Sequence, residues 1–237
     1  MTPASLLLSS LLPFFMVTGS GCTNKKNFTS ESDYLKWLGS EESRLGKIAS
    51  VNGFTIKVKY MPPEYLAWLE MKPGAGAGAA GNPDGDPAIF LKTVERYRQS
   101  LTFLLTFEPD ETKRPGRDVM LHNVSDYNDY KERFMELNFN IENSVSLHAG
   151  NAVYLPVLSS LENIYQLVPG RNMLLVFAPP SKEDAAFYSS TELDVVLEDG
   201  IFGTGIHHFV FNRNDFKFAS GLHLAFTGSA TEKKGVL

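Results

Sequence analysis

Alternation of apolar and polar residues marks the clearest element of this chain. After Asn52-Gly53, the apolar side chains between Phe54 and Tyr60 alternate with Thr and Lys, the pattern of a strand with one buried and one exposed face. Asn-Gly is also the strongest two-residue hairpin signal, because both residues accept the positive φ angles of a type I′ turn. We therefore predict a β-hairpin over residues 46–60.

Short apolar stretches recur along the rest of the chain, separated by Gly, Pro and Asn. They predict strands at 101–107, 120–124, 137–141, 145–147, 152–157, 173–177, 193–197 and 206–211. Helical spacing predicts a short turn near residues 34–38, helices at 64–71 and 88–100, and a helix with Tyr127, Tyr130, Phe134 and Leu137 on one face. Few helices among many short strands predict a mainly β fold, a β-sandwich-like domain with a few short peripheral helices; an α+β arrangement is the alternative.

Composition narrows the class of protein. The 237 residues include seventeen Phe, nine Tyr and two Trp, too many aromatic side chains for a disordered chain. The net charge of −5 excludes a generic nucleic-acid electrostatic footprint, so we expect no nucleic-acid partner. Residues 73–87 are rich in Gly and Ala and lack any period, which predicts a loop.

The start of the chain carries a targeting pattern. Residues 1–21 contain no charged side chain, an apolar stretch runs from Leu6 to Val17, and small residues lead to Cys22, the one cysteine in the sequence. This order resembles a bacterial lipoprotein signal peptide with a relaxed lipobox of the Bacteroidetes kind. The resemblance implies cleavage before Cys22, acylation of that cysteine (palmitate among the acyl groups) and attachment to the outer membrane, on its periplasmic or cell-surface face. The alternative is an ordinary secretory signal.

These patterns divide the chain into three parts. Residues 1–21 are the lipoprotein signal peptide, and residues 22–44, which begin with a polar run, are a polar tether. Residues 45–237 are a single β-rich domain that includes the loop at 73–87. A lone cysteine cannot form a disulfide within the chain, so the stability of this domain must come from packing.

Sequence motifs for catalysis are absent. The chain has neither a GxSxG nor an HExxH pattern, and we expect a protein without metal or organic cofactor. The adjacent His207 and His208 point to opposite faces if they lie on a strand. Metal binding by one of them together with Asp194 or Asp199 remains an alternative, as does a carboxylate pair for glycoside hydrolysis among the acidic stretches.

Four aromatic side chains near the N-terminus are candidates for an interaction surface: Tyr34, Trp37, Tyr65 and Trp68. Tyr and Trp are favoured as anchors in protein interfaces, although core packing is the alternative role for each. We therefore expect a lipid-anchored, non-catalytic interaction or structural subunit of a membrane-associated secretion or assembly complex, with a protein partner in the cell envelope. A surface glycan-binding protein or glycoside hydrolase is the alternative.

Overall fold

The mainly β fold predicted from the sequence is confirmed by a computed structural model. The structure describes residues 28, 30–71, 87–110, 112–113, 118–162 and 168–218. Within these residues two antiparallel sheets are formed. Sheet A has the order β1 (Gly46–Val51), β2 (Phe54–Tyr60), β3 (Leu101–Pro109), β7 (Arg171–Phe177) and β6 (Leu158–Leu161). Sheet B has the order β5 (Ala152–Tyr154), β4 (Val145–Ala149), β8 (Glu192–Asp199) and β9 (Gly205–Asn212).

The predicted hairpin is the β1–β2 pair. Val51 lies opposite Phe54, so Asn52 and Gly53 are the two turn residues, with φ angles of 51° and 81°. Both angles are positive, as a type I′ turn requires. The apolar residues of β2 all point inward, and the polar ones point outward.

The core lies between the two sheets and is rich in aromatic rings. Phe103 on β3 has no exposed surface, and its ring lies 5.3 Å from that of Phe211 on β9 and 6.0 Å from that of Phe177 on β7. These contacts join side chains from both sheets, so the strands pack as a sandwich.

Short helices gather at one end of the sandwich, which we call the helical end. They are α1 (Glu31–Gly39), α2 (Pro63–Met71), α3 (Pro87–Tyr97), α5 (Ala185–Ser189) and α6 (Arg213–Phe218). Phe216 of α6 stacks on Tyr60 at 3.7 Å and 7°, where β2 ends. Arg98 follows α3 and pairs at 2.9 Å with the buried Glu64 of α2, which ties these two helices together.

The opposite end, the turn end, holds the β1–β2 turn and helix α4 (Tyr127–Met135). Here Arg171 is 7% exposed and donates to Asp118 at 2.6 Å. Arg133 of α4 donates to the carbonyl of Met120 at 3.0 Å and lies over the ring of Phe202. A buried cation needs such partners to offset its desolvation, so these contacts close this end of the core.

Three expectations differ from the structure. The 22–44 segment is not a tether throughout, because α1 lies within it and its residues Tyr34, Trp37 and Leu38 are buried. The strand expected at 120–124 is wrong, since 119–121 form a 3₁₀ turn. The strand expected at 137–141 is also wrong: α4 continues there into a π-helical turn, Glu136–Asn140. Most of the 73–87 loop lies outside the described residues, and Pro87 begins α3.

Candidate functional site

The aromatic residues proposed as an interaction surface are mostly core residues. Tyr34 is fully buried, and Trp37 and Trp68 are 7% and 9% exposed. Tyr65 is half-buried and stacks on Trp68 at 5.7 Å. Tyr34, Trp37 and Trp68 therefore have the core-packing role given as the alternative and do not line an exposed surface. The spacing of Tyr34, Trp37 and Leu38, which is i, i+3 and i+4, was a sequence signal for one buried helix face.

Cys22, the expected lipid anchor, lies outside the described residues. The first described residue, Phe28, packs its ring 5.2 Å from that of Tyr34 and 5.1 Å from that of Trp37. The chain therefore enters the described fold at the helical end, only six residues after Cys22.

The outward face of sheet B offers a different candidate site. Because side chains alternate along a strand, each strand of this sheet turns every second residue away from the core. We call this surface the sheet-B face. Its members are Ser146, His148, Val153, Glu192, Asp194, Val196, Glu198, Ile206, His208, Val210 and Asn212.

One row of this face crosses all four strands. His148 lies opposite Val153 on one side and opposite Asp194 on the other, and Asp194 lies opposite Val210. Directly opposed side chains in an antiparallel pair have Cβ atoms about 4.5–5.5 Å apart. The pairing thus produces two polar side chains in the middle of the row, with an aliphatic side chain at each edge.

The polar centre of the face contains two hydrogen-bonded pairs. Nδ1 of His208 lies 2.6 Å from Oδ2 of Asp194, and Nε2 of His148 lies 3.0 Å from the hydroxyl oxygen of Ser146. Among the described residues, Oδ1 of Asp194 is the buried side-chain oxygen or nitrogen that has no hydrogen-bond partner. Asp194 is thus held by His208 through one carboxylate oxygen, while its other oxygen is buried without a partner within the described ranges.

Exposed aliphatic side chains surround this centre. Ile206 is 64% exposed, Val153 is 57% exposed and Val210 is 43% exposed. Val196, in contrast, is only 4% exposed, because it lies between Ser146 and His208 on the neighbouring strands. The sheet-B face therefore carries three separate exposed aliphatic side chains, with His148, Asp194 and His208 between them.

The polar centre is not arranged for nucleophilic catalysis. Ser146 and His148 are a nucleophile and a base at hydrogen-bonding distance, but Asp194 contacts His208 instead of orienting His148. The backbone amides of these strands take part in the sheet ladder, so they do not form an oxyanion hole above the face.

His207 and Asp199, the other histidine and carboxylate considered from the sequence, contact the loop between β8 and β9. Asp199 is 5% exposed and accepts from the amides of Ile201, Phe202 and Thr204 at 2.9, 3.0 and 3.0 Å. Nε2 of His207 lies 3.1 Å from the hydroxyl of Thr204. His207 and His208 therefore diverge as predicted, and Asp199 is used to hold the β8–β9 loop. In the described part of the chain, no three His, Cys, Asp or Glu side chains are placed to hold a metal ion.

Strand β5 carries Val153, and the next residue of the same strand, Tyr154, holds the strand in place. The hydroxyl of Tyr154 donates to Asp184 at 2.9 Å, and the same carboxylate oxygen accepts from the amide of Phe187 at the start of α5. Burial, followed by this hydrogen bond to Asp184, raises the pKa of Tyr154 to about 12. The edge of the sheet-B face is therefore anchored in the core.

Comparisons with known proteins identify no family. No protein-family model matches the chain, and no curated protein matches it. Among solved structures, the chain is similar to a protein of unknown function from Burkholderia pseudomallei K96243. The identity is 10%, with 80% of this chain and 90% of that chain covered and a TM-score of 0.37; a likeness this distant carries no functional argument. No helix among the described residues is long and apolar enough to span a membrane.

Proposed function

We propose that this protein is a lipid-anchored, non-catalytic interaction subunit of a membrane-associated secretion or assembly complex in the cell envelope. Its anchor is the acylated Cys22 in the outer membrane, and its partner is a protein that binds the sheet-B face. The observation that supports this function is the exposure of Ile206, Val153 and Val210 on the face that carries the Asp194–His208 pair.

The shape and composition of the face favour a protein partner over a glycan. Sugar-binding sites use exposed aromatic rings as stacking platforms, and none of the outward residues of β4, β5, β8 and β9 is Phe, Tyr or Trp. Glycoside hydrolysis needs two carboxyl groups on either side of the scissile bond. Glu192, Asp194 and Glu198 lie on one strand and point the same way, so they do not face each other across a cleft.

A lipid anchor supports the same proposal. A protein held at the membrane by its lipid meets a membrane-associated partner at high effective concentration, in the way that linking two binding modules raises apparent affinity. Contacts at a few aliphatic side chains then contribute more to association than they would between freely diffusing proteins.

Site-specific photocrosslinking in intact cells tests the proposed function. A photoreactive residue replaces Ile206, which is 64% exposed on sheet B, or Ile48, which is 63% exposed on sheet A. Because the two positions are equally exposed, random collisions label both to the same extent. We expect a discrete crosslinked product from position 206 alone and its loss in the Val210→Lys variant. Equal labelling from the two positions would refute the proposal.

Mass spectrometry of the N-terminal peptide tests the anchor separately. The proposal requires that the wild-type protein begins at Cys22 and carries lipid mass. An unmodified peptide that starts elsewhere would remove the anchor, whatever the crosslinking shows.

A further inference from the structure

We propose that the protein segment that docks on the sheet-B face is basic: it presents Lys or Arg side chains among aliphatic ones. This inference rests on the proposed function and specifies the chemistry of its partner. The first observation is the charge of the sheet. The strands β4, β5, β8 and β9 contain no Lys or Arg, whereas β8 turns Glu192, Asp194 and Glu198 outward.

The two sheets differ in whether their outward faces carry Lys side chains near the acidic ones. On sheet A, the outward side of β2 carries Lys57 and Lys59, and Lys57 pairs with Glu108 on the neighbouring strand. On sheet B, the four strands offer no Lys or Arg to the acidic side chains of β8, and His208 is the side chain able to carry positive charge that contacts one of them, Asp194. A basic segment is therefore attracted to the sheet-B face, while an acidic one is repelled by it.

The second observation concerns the spacing of the acidic residues. Glu192 and Asp194 are two residues apart and Glu198 lies four further on, so the three carboxylates form a line that spans about 20 Å along β8. Val210 and Ile206 on β9 run along one side of this line, and Val153 lies on the other. The face is thus an acidic line flanked by the polar side chains of Ser146, His148 and His208 and by aliphatic ones at Val153, Val210 and Ile206. Its complement is a row of basic side chains with some aliphatic side chains among them.

The third observation concerns the burial and the hydrogen bonds of Asp194, the middle carboxylate of this line. Its side chain is 22% exposed, and one of its carboxylate oxygens is buried without a hydrogen-bond partner among the described residues. Charges that are partly removed from water interact more strongly than fully exposed ones, because screening is weaker. A basic side chain docked over the face therefore interacts more strongly with the partly buried carboxylate of Asp194, beside His208, than with a fully exposed carboxylate.

Synthetic peptides test this inference on the unlipidated chain from residue 23. The probes are two extended peptides of equal length in which Val alternates with Lys or with Glu, each carrying a fluorophore for anisotropy. The site variant is Glu192→Gln, Asp194→Asn and Glu198→Gln combined. The control variant is Glu41→Gln, Glu132→Gln and Glu183→Gln combined, which changes exposed acidic residues elsewhere and alters the net charge by the same amount.

We expect the Lys peptide to bind the wild-type chain at least about tenfold more tightly than the Glu peptide, because each surface ion pair contributes a factor of about two to five. The site variant should weaken binding of the Lys peptide about tenfold, and the control variant less than twofold. Equal binding of both peptides, equal effects of both variants, or no binding of the Lys peptide would each overturn the inference.

The result of the peptide experiment can be separated from the test of the proposed function. If crosslinking from Ile206 succeeds while the Lys peptide fails, the face has a partner of different charge and only the present inference is wrong. If the site variant lowers the melting temperature, the Glu192→Gln, Glu198→Gln double variant replaces it, since it changes only exposed side chains. Its effect on the Lys peptide, measured against Glu41→Gln, Glu183→Gln, then decides.

Discussion

Replacing Tyr34 by Ala should destabilise the whole domain, although the sequence places this residue in a tether. Tyr34 has no exposed surface, and its ring contacts those of Phe28 and Trp37 at centroid distances of 5.2 and 6.0 Å. Truncating a large buried aromatic side chain to Ala costs about 3–5 kcal/mol, because transfer energy is lost and a cavity remains. For a chain of this size, that loss corresponds to a fall in melting temperature of about 6–20 °C.

The assay is urea unfolding of the unlipidated chain from residue 23, followed by circular dichroism and by Trp fluorescence. Lys36→Ala is the matched control, because Lys36 is exposed on the same helix and its replacement by Ala leaves helix propensity nearly unchanged. If both variants unfold within about 0.5 kcal/mol of each other, α1 does not pack on the core, and the domain begins near residue 45 after all.

Three further predictions test the loop, the tyrosine and the anchor. Asp199→Ala should lower the unfolding free energy by about 3 kcal/mol in urea, since it leaves buried amides without their charged acceptor; the exposed neighbour Glu198→Ala should change it by less than about 0.5 kcal/mol. With the pKa of Tyr154 raised to about 12, the unfolded chain loses this proton first above about pH 10. The urea midpoint of the wild-type chain should therefore fall between pH 10 and 12, and this fall should be smaller in the Tyr154→Phe variant. An equal fall in both proteins would contradict the raised pKa of Tyr154. Cys22→Ala should abolish cleavage before residue 22 and the lipid mass, as read from the N-terminal peptide.

Local sequence was sufficient to predict those elements whose conformation depends on their own residues. The β1–β2 hairpin follows from Asn52-Gly53 and the alternation after it, and β7 to β9 follow from their apolar runs. The same alternation misleads at 137–141. Leu137, Phe139 and Ile141 are apolar at every second position, yet Phe139 is 60% exposed while the other two are fully buried. A spacing of four between the buried residues fits a helical turn, and only tertiary packing reveals which two face the core.

Elements that depend on distant partners were not predictable. Strand β6 has Ser159 and Ser160 at its centre and forms because it pairs with β7. The candidate site shows the same limit. Asp194 and His208 were candidates in the sequence, but His148 joins them only through the β4–β8 register, 46 residues along the chain. Strand register between distant segments is set by the packing of whole sheets, so the sheet-B face could not be assembled from local pattern.

The positions of the two ends of the sandwich have a consequence for how far the protein reaches from a membrane. Phe28 packs at the helical end, and six residues of chain extend at most about 20 Å, so the proposed acylation of Cys22 would hold that end within this distance of the lipid. Strand β3, with nine residues, separates the two ends by about 30 Å. Under the proposed anchoring, the turn end would therefore reach no farther than about 50 Å from the lipid. A partner segment on the sheet-B face would have to bind within that span.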